Sequence, residues 1–89
     1  MAFVGDEKKA ASNLRKHGIE FEFAVRVFED SLQAEWIDDR EDYGEERWNA
    51  LGFVDGIDLF VTYTVRGEDI RILSARRATK SEQERYWGD

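Results

Sequence analysis

The stretch LFVTYTVRGEDIRILSARR, Leu59–Arg77, predicts a β-hairpin. Apolar and polar residues alternate over Leu59–Val65, a turn follows at Arg66–Asp69, and the alternation resumes after it. The β-branched and aromatic side chains suit a half-buried sheet, and Gly67 can adopt a positive φ in the turn at little steric cost. We therefore expect the rest of the chain to be organised around this hairpin.

Further strands are predicted before the hairpin. Residues Glu46–Val54 form a strand that carries Trp48, and Asp55-Gly56 is a strong hairpin-turn signal that leads into the next strand. These elements make an antiparallel meander of at least three strands. Residues 33–37 (QAEWI) and the apolar start Met1–Val4 add a short strand and an edge strand.

Two helices have recognisable ends. Asp6 is a good N-cap for DEKKAASNLRKHG, and Gly18 is suited to end that helix. The apolar stripe of this helix is Ala10, Ala11 and Leu14. In the last segment, ATKSEQERYWGD, Thr79 precedes Glu82 by three residues, which is a capping box for a short C-terminal helix.

Residues 18–31, GIEFEFAVRVFEDS, fit two structures. Ile19, Phe21, Phe23, Val25 and Val27 alternate as in a strand, but Phe21, Ala24, Val25 and Phe28 also form a helical stripe. Propensity favours the strand and the pattern alone does not decide. With either choice the fold class is α+β, with helices packed on one face of an antiparallel β-sheet and a short C-terminal helix.

The composition is that of one small domain spanning residues 1–89, with 42% hydrophobic residues. The chain has no cysteine, which excludes disulfides and thiolate metal sites and fits a reducing compartment. No apolar run approaches the roughly 18 residues of a membrane helix, and Asp6 and Glu7 come too early for a signal peptide. We expect a cytoplasmic protein.

The net charge of −7 argues against binding of nucleic acid by overall attraction. The charge is uneven, however. Residues 1–58 carry 15 acidic and 7 basic side chains, a net charge of −8, whereas residues 59–89 carry 5 acidic and 6 basic side chains, a net charge of +1. A phosphate is therefore expected to approach the hairpin and the tail.

Three runs resemble the BrnT family of bacterial type II toxins: FVGDEKKAASNLRKHGIEFEFAVRVFED, GEERWNALG and VTYTVRGEDIRILSARRATKSEQERYW. The order and spacing of KHG, EERW, YTVRG and LSARRAT are specific in combination. The resemblance implies a RelE-like fold, a helix at residues 20–28, and ribonuclease activity that arrests translation. It also implies neutralisation by a cognate BrnA-like antitoxin, whose DNA-binding domain would connect the toxin to operator DNA only indirectly.

Two positions depart from the usual pattern of the family. Gly5 stands where Trp is usual, and Tyr43 stands where His is frequent. The first change removes a side chain that could cover the sheet. The second removes a titrating group from the acidic loop DDREDYGEE, residues 38–46.

A metal-independent ribonuclease, for which no cofactor is expected, uses the RNA 2′-hydroxyl to attack the adjacent phosphate. This reaction needs a base, an acid for the leaving oxygen, and cations for the developing negative charge. Arginine suits the last role because its guanidinium binds two phosphate oxygens at once. Arg66, Arg76 and Arg77 are the candidates, and successive strand residues point to opposite faces. Arg76 is favoured over Arg77 because we expect it to share a face with Ile72 and Ser74.

Three residues are candidates for acid–base roles. Glu46 can supply a carboxylate base, with Arg47 beside it as a further cation. Tyr63 can donate a proton, or it can belong to the core. His17 is the one imidazole of the chain and has an ordinary pKa near 6.5, although its place before Gly18 also suits the end of a helix.

The loop DDREDYGEE raises the possibility of a magnesium site. Its spacing matches no calcium-loop pattern, so we interpret it as a solvated loop. An alternative function follows from the same acidic charge. In that alternative the chain is a non-catalytic module that binds a DNA-binding antitoxin and modulates operon repression.

Overall fold

The sheet of the computed structural model, which describes residues 3–88, has five strands in the spatial order β1-β5-β4-β3-β2. In chain order the elements are β1 Phe3–Val4, α1 Glu7–His17, α2 Phe21–Ala24, a 3₁₀ helix Val25–Glu29, β2 Ala34–Asp38, β3 Arg47–Val54, β4 Ile57–Arg66, β5 Asp69–Arg77 and α3 Lys80–Trp87. The α+β class is confirmed. The predicted strands and both capped helices are present.

Strands β2 to β5 form the predicted antiparallel meander. Its tight turns have the backbone that their residues favour, since Asp55 and Gly56 both have positive φ, at 47° and 83°, and Gly67 has φ 61°. β1 pairs in parallel with β5, so the sheet is mixed and not purely antiparallel. Met1 and Ala2 of the predicted edge strand lie outside the described residues.

Alternate residues of each strand face the helices and form the main core. Leu59, Val61 and Tyr63 of β4 pack there with Ala24 of α2 and Val27 of the 3₁₀ helix. Residues 21–29 are helical and not a strand, which confirms the helix that the resemblance implies at residues 20–28 to within one residue at each end. The backbone approach is close at Gly52 in β3, where a Cβ atom would lie 2.9 Å from Cγ1 of Val27.

Helix α1 packs through only part of the predicted face. Ala10 of the predicted apolar stripe packs against the main core, but Ala11 and Leu14 are exposed and Asn13 is buried. The Asn13 side chain hydrogen-bonds the backbone of Ala75 in β5, and this pairing sets the rotation of the helix. A buried amide with backbone partners is not detectable from apolar spacing.

Helix α3 lies on the opposite side of the sheet from α1 and α2, so the prediction that the helices share one face is wrong for this element. Tyr86 of α3 packs against Leu51 and Phe60, whose sequence neighbours Ala50 and Val61 belong to the main core. Successive strand residues point to opposite faces, so the two clusters lie on the two sides of the sheet. The capping box of Thr79 and Glu82 is formed as predicted.

Candidate functional site

The sheet face turned away from α1 and α2 is called the open face here. Helix α3 covers one end of it, over Leu51 and Phe60. The other end lies towards the β4–β5 turn and carries polar and basic side chains. Its residues alternate with core residues along β3, β4 and β5, which gives the set Arg47, Asn49, Thr62, Thr64, Arg66, Arg71 and Ser74.

Arg47, Thr64 and Arg71 form one row across three neighbouring strands, called the arginine row below. Thr64 is paired with Arg71, and the β3–β4 register extended by one residue places Arg47 opposite Thr64. Thr64 is only 1% exposed and its Oγ1 donates to the carbonyl of Glu46 at 2.8 Å. Two guanidinium groups thus flank a small buried hydroxyl.

Neither arginine of this row has an ion-pair partner among residues 3–88. The Nε atoms of Arg47 and Arg71 are buried and have no hydrogen-bond acceptor within the described part of the chain. The guanidinium of Arg47 lies over the ring of Tyr43, 4.1 Å from its centroid, which holds the group in place without neutralising it. Because no carboxylate of residues 3–88 neutralises these two guanidinium groups, their terminal nitrogens are suited to an anionic ligand.

The next row along the open face is polar and internally bonded. It consists of Asn49, Thr62 and Ser74, one from each strand. The hydroxyl of Thr62 donates to Oδ1 of Asn49 at 2.9 Å, and both side chains are buried. This uncharged polar row lies beside the arginine row on the open face.

A β-bulge decides which residues of β5 reach the open face. The register passes from Tyr63–Ile72 to Thr62–Ser74 and leaves Leu73 without an opposite residue. Ile72 consequently faces the main core, whereas Ser74 and Arg76 face the other way. The prediction that Arg76 shares a face with Ile72 is therefore wrong, because the bulge resets the alternation.

Arg76 is already bound within the chain. Its two terminal nitrogens lie 2.8 and 2.9 Å from the carboxylate oxygens of Glu82 in α3, and its guanidinium lies over the ring of Phe60 at 4.3 Å. The Arg76 guanidinium holds the pKa of Glu82 below its usual value, against the opposing effect of burial. This geometry fastens α3 to the sheet.

Arg66 and Glu46 lie at the same end of the sheet as the arginine row. Arg66 is exposed at the end of β4, and its NH2 group is 3.1 Å from Glu45 Oε1. Glu46 precedes β3, and its backbone carbonyl accepts the hydrogen bond from Thr64. The structure thus brings these two predicted site residues close to Arg47 and Thr64.

Tyr63 and Arg77 are not part of this group. Tyr63 is 3% exposed on the helix-covered face, where its hydroxyl donates to the carboxylate of Glu35. Burial, and then this hydrogen bond, raise the pKa of Tyr63 well above 10. Arg77 is exposed and is paired in register with the core residue Leu59, so it points to the side opposite Arg76, as predicted.

His17 lies at the sheet edge beyond β5. It is exposed in the last turn of α1, where positive charge suits the helix dipole. It lines a depression between α1 and β5 that also includes Ser74 of the open face. His17 therefore lies beside β5 near Leu73 and Ser74 and is not one of the residues of the arginine row.

The acidic loop, residues 38–46, contains an ion pair between two of its own residues, Asp38 and Arg40. Asp38 is buried, accepts two hydrogen bonds from the Arg40 guanidinium at 2.8 and 2.7 Å, and is 3.3 Å from the Tyr43 hydroxyl. Arg40 keeps the pKa of Asp38 below its usual value. Residues 3–88 contain no cluster of three or more side chains arranged to hold a metal ion.

Arg71 was missed by the sequence reasoning. The signal was present, because Arg71 lies between Ile70 and Ile72 and period-two alternation places it opposite the core. Arg71 stands out as a candidate phosphate ligand only because carboxylates bind Arg66 and Arg76 in the folded chain. That information exists only in the folded chain.

The fold and the arginine row define a class of protein: a small α+β domain that presents unpaired arginines on one face of a sheet. The family model of BrnT, the ribonuclease toxin of type II toxin–antitoxin systems, matches residues 6–82 of the 89. The chain belongs to this family. A comparison with curated proteins gave no match. No helix among residues 3–88 is long and apolar enough to cross a bilayer.

Proposed function

We propose that this chain cleaves RNA at the arginine row, and that cleavage arrests translation until a BrnA-like antitoxin binds. The family indicates a ribonuclease toxin of a type II toxin–antitoxin system. The single observation that carries the site assignment is the pair of unpaired guanidinium groups of Arg47 and Arg71 on either side of Thr64. In a chain of net charge −7, this row offers a phosphate two neighbouring arginines that no carboxylate of residues 3–88 pairs with.

The proposed reaction is attack of a 2′-hydroxyl on the adjacent phosphorus. The new bond closes a 2′,3′-cyclic phosphate, and the bond to the 5′-oxygen of the next nucleotide breaks. Arg47 and Arg71 bind the non-bridging oxygens, on which negative charge grows in the transition state. Arg66 joins them when it exchanges Glu45 for the phosphate. A base takes the proton of the 2′-hydroxyl, and the leaving 5′-oxygen takes a proton from solvent water.

We assign the base to Glu46 because it is the predicted acid–base residue nearest the arginine row. Its backbone is tied to Thr64, and its side chain is exposed. Tyr63 does not fit this role, since it is buried on the other side of the sheet and bound to Glu35. Arg76 is assigned to holding α3, because Glu82 already occupies its guanidinium.

The acidic loop is proposed as the surface for the antitoxin. Asp39, Glu41 and Asp42 are exposed, and the loop follows β2, whose outer edge has no strand partner among the described residues. A basic segment of a partner is attracted to this charge. Operator DNA is then reached only through that partner. If nuclease activity is absent, this same surface supports the alternative of a non-catalytic binding module.

The test compares three purified variants on a single-stranded RNA: Arg47→Ala, Arg71→Ala and Arg26→Ala. Arg26 is a matched control because it is an exposed arginine in an ion pair with Asp55, away from the open face. We expect cleavage to fall by about 100-fold in each of the first two variants, by the loss of one charge-stabilising donor. The control should retain the original rate.

The same variants are expressed in cells with and without the antitoxin. We expect the unmodified chain to stop growth and protein synthesis, and co-expression of the antitoxin to restore both. Arg71→Ala should be harmless while still binding the antitoxin. Normal growth with a folded, unmodified chain, or full cleavage by Arg47→Ala and Arg71→Ala, would contradict the proposal.

A further inference from the structure

The depression between α1 and β5 is a second basic surface, separate from the arginine row. It has a volume of about 210 Å³ and is lined by Lys9, Ser12, Asn13, Lys16, His17, Leu73 and Ser74. Two of these side chains are lysines, one is a histidine, two carry hydroxyls, and none is a carboxylate. A basic depression with no carboxylate among its lining residues stands out in a chain with 20 acidic and 13 basic residues.

The helix face that lines the depression is polar and cationic, and it is not the face of the predicted apolar stripe. Lys9, Asn13 and Lys16 recur at the spacing of one helix face. Asn13 is the part of this face that packs, because its amide is bonded to both backbone groups of Ala75 and to the carbonyl of Ile19. These bonds hold Lys9 and Lys16 beside a sheet edge that no strand of residues 3–88 covers after Arg71.

The depression adjoins the open face at one residue. Ser74 lines the depression and also ends the polar row that includes Thr62 and Asn49. That row is next to the arginine row. An RNA strand whose phosphate is bound at Arg47 and Arg71 can therefore continue across Ser74 towards Lys9 and Lys16.

We propose that the α1/β5 depression binds a second phosphate of the same single-stranded RNA, next to the one cleaved at the arginine row. This inference rests on the proposed function. Lys9 and Lys16 supply the charge, and the hydroxyls of Ser12 and Ser74 supply hydrogen bonds. The subsite positions the strand and takes no part in bond breaking.

The test uses a 2′-O-methyl oligoribonucleotide, which binds but lacks the attacking hydroxyl. Its affinity is measured over a series of salt concentrations for the unmodified chain and for Lys9→Ala/Lys16→Ala. Lys8→Ala/Arg15→Ala is the matched control, since it removes two exposed charges from the same helix at the same spacing, outside the depression. Circular dichroism checks that all three proteins are folded.

For the loss of one phosphate contact, the slope of log affinity against log salt should fall by about 0.7, and affinity near 0.1 M salt by about fivefold. The control should keep the original slope. Equal slopes for Lys9→Ala/Lys16→Ala and the unmodified chain would overturn the second subsite alone, provided that Arg71→Ala still weakens binding. No binding of the oligonucleotide by the unmodified chain would overturn both the subsite and the proposed function.

Discussion

The side-chain amide of Asn13 in α1 takes the place of a neighbouring strand for Ala75 in β5. Its Nδ2 donates to the Ala75 carbonyl at 2.8 Å, and its Oδ1 accepts from the Ala75 N–H at 2.9 Å. An edge strand normally leaves such groups open to another chain. Here one residue of a helix satisfies both, and the α1/β5 depression is fixed beside it.

Replacing Asn13 should therefore lower the free energy of unfolding by more than is usual for a substitution in a largely exposed helix. Asn13→Ala leaves two backbone groups of Ala75 and the carbonyl of Ile19 without their partner in a buried place. We expect a loss of about 3 kcal/mol in the free energy of unfolding, because unsatisfied buried groups are costly. Urea denaturation measures it, with Ser12→Ala as the control on the same helix. A loss under about 1 kcal/mol would show that water replaces the amide.

Two glycines should respond in opposite ways to the same added methyl group. At Gly52 a Cβ would lie 2.9 Å from Cγ1 of Val27 and 3.4 Å from the Val27 carbonyl, whereas at Gly5 the nearest atom is 3.9 Å away on Phe21. Gly52→Ala should lower the free energy of unfolding by about 1–3 kcal/mol, as overpacking does. Gly5→Ala should be neutral or slightly stabilising. Thermal unfolding of the two variants side by side is the measurement, and a larger loss at Gly5 would contradict the packing described.

Gly5 also borders a cavity of about 350 Å³. Its apolar walls include Phe3, Ala10, Phe21 and Val25. Gly5→Trp should fill this space and raise the midpoint of thermal unfolding, since apolar area leaves water. An unchanged or lower midpoint would indicate that the cavity does not accept the indole.

The ion pair of Arg76 and Glu82 should make stability fall in acid. Arg76 lowers the pKa of Glu82 in the folded chain from the ordinary value of 4.5. A carboxylate with a depressed pKa contributes stability that is fully present above its unfolded pKa and is lost as the pH falls through the folded pKa. The window therefore begins near pH 4.5 and extends below it.

Glu82→Gln removes this part of the pH dependence. We expect the variant to be less stable than the unmodified chain at pH 7, and the difference to shrink as the pH falls below about 4.5. Denaturation curves at pH 7, 5, 4 and 3 provide the comparison. A difference that stays constant over this range would mean that Arg76 does not act through the charge of Glu82.

The sequence predicts those parts of the fold that depend on residues close together in the chain. The turns at Asp55-Gly56 and Gly67, the N-cap Asp6 and the capping box of Thr79 depend on residues a few positions apart. Residues 19–28 were not decided by pattern, because a short apolar run fits a strand and a helix equally, and only the resemblance favoured the helix.

The candidate site was less accessible, because its geometry depends on contacts distant in sequence. The bulge at Leu73 turns Arg76 away from the face of Ile72, and no residue type at that point signals it. Arg66, Arg71 and Arg76 look equivalent in the sequence. Carboxylates at Glu45 and Glu82 bind two of them and leave Arg71 unpaired among the described residues.

The last prediction separates two of the acid–base candidates by their surroundings. Tyr63→Phe removes a hydroxyl that is bound to Glu35 on the helix-covered side of the sheet, and Glu46→Gln removes the carboxylate of the exposed residue that precedes Arg47 and whose backbone carbonyl accepts from Thr64. Since the sheet lies between Tyr63 and the open face, cleavage by Tyr63→Phe should stay within about twofold, and Glu46→Gln should lose about 100-fold or more, the usual contribution of a general base. Single-turnover cleavage of one RNA by the two variants measures both effects. A large loss with Tyr63→Phe in a protein of unchanged stability would move the reaction to the helix-covered face, and the arginine row would then have only a binding role.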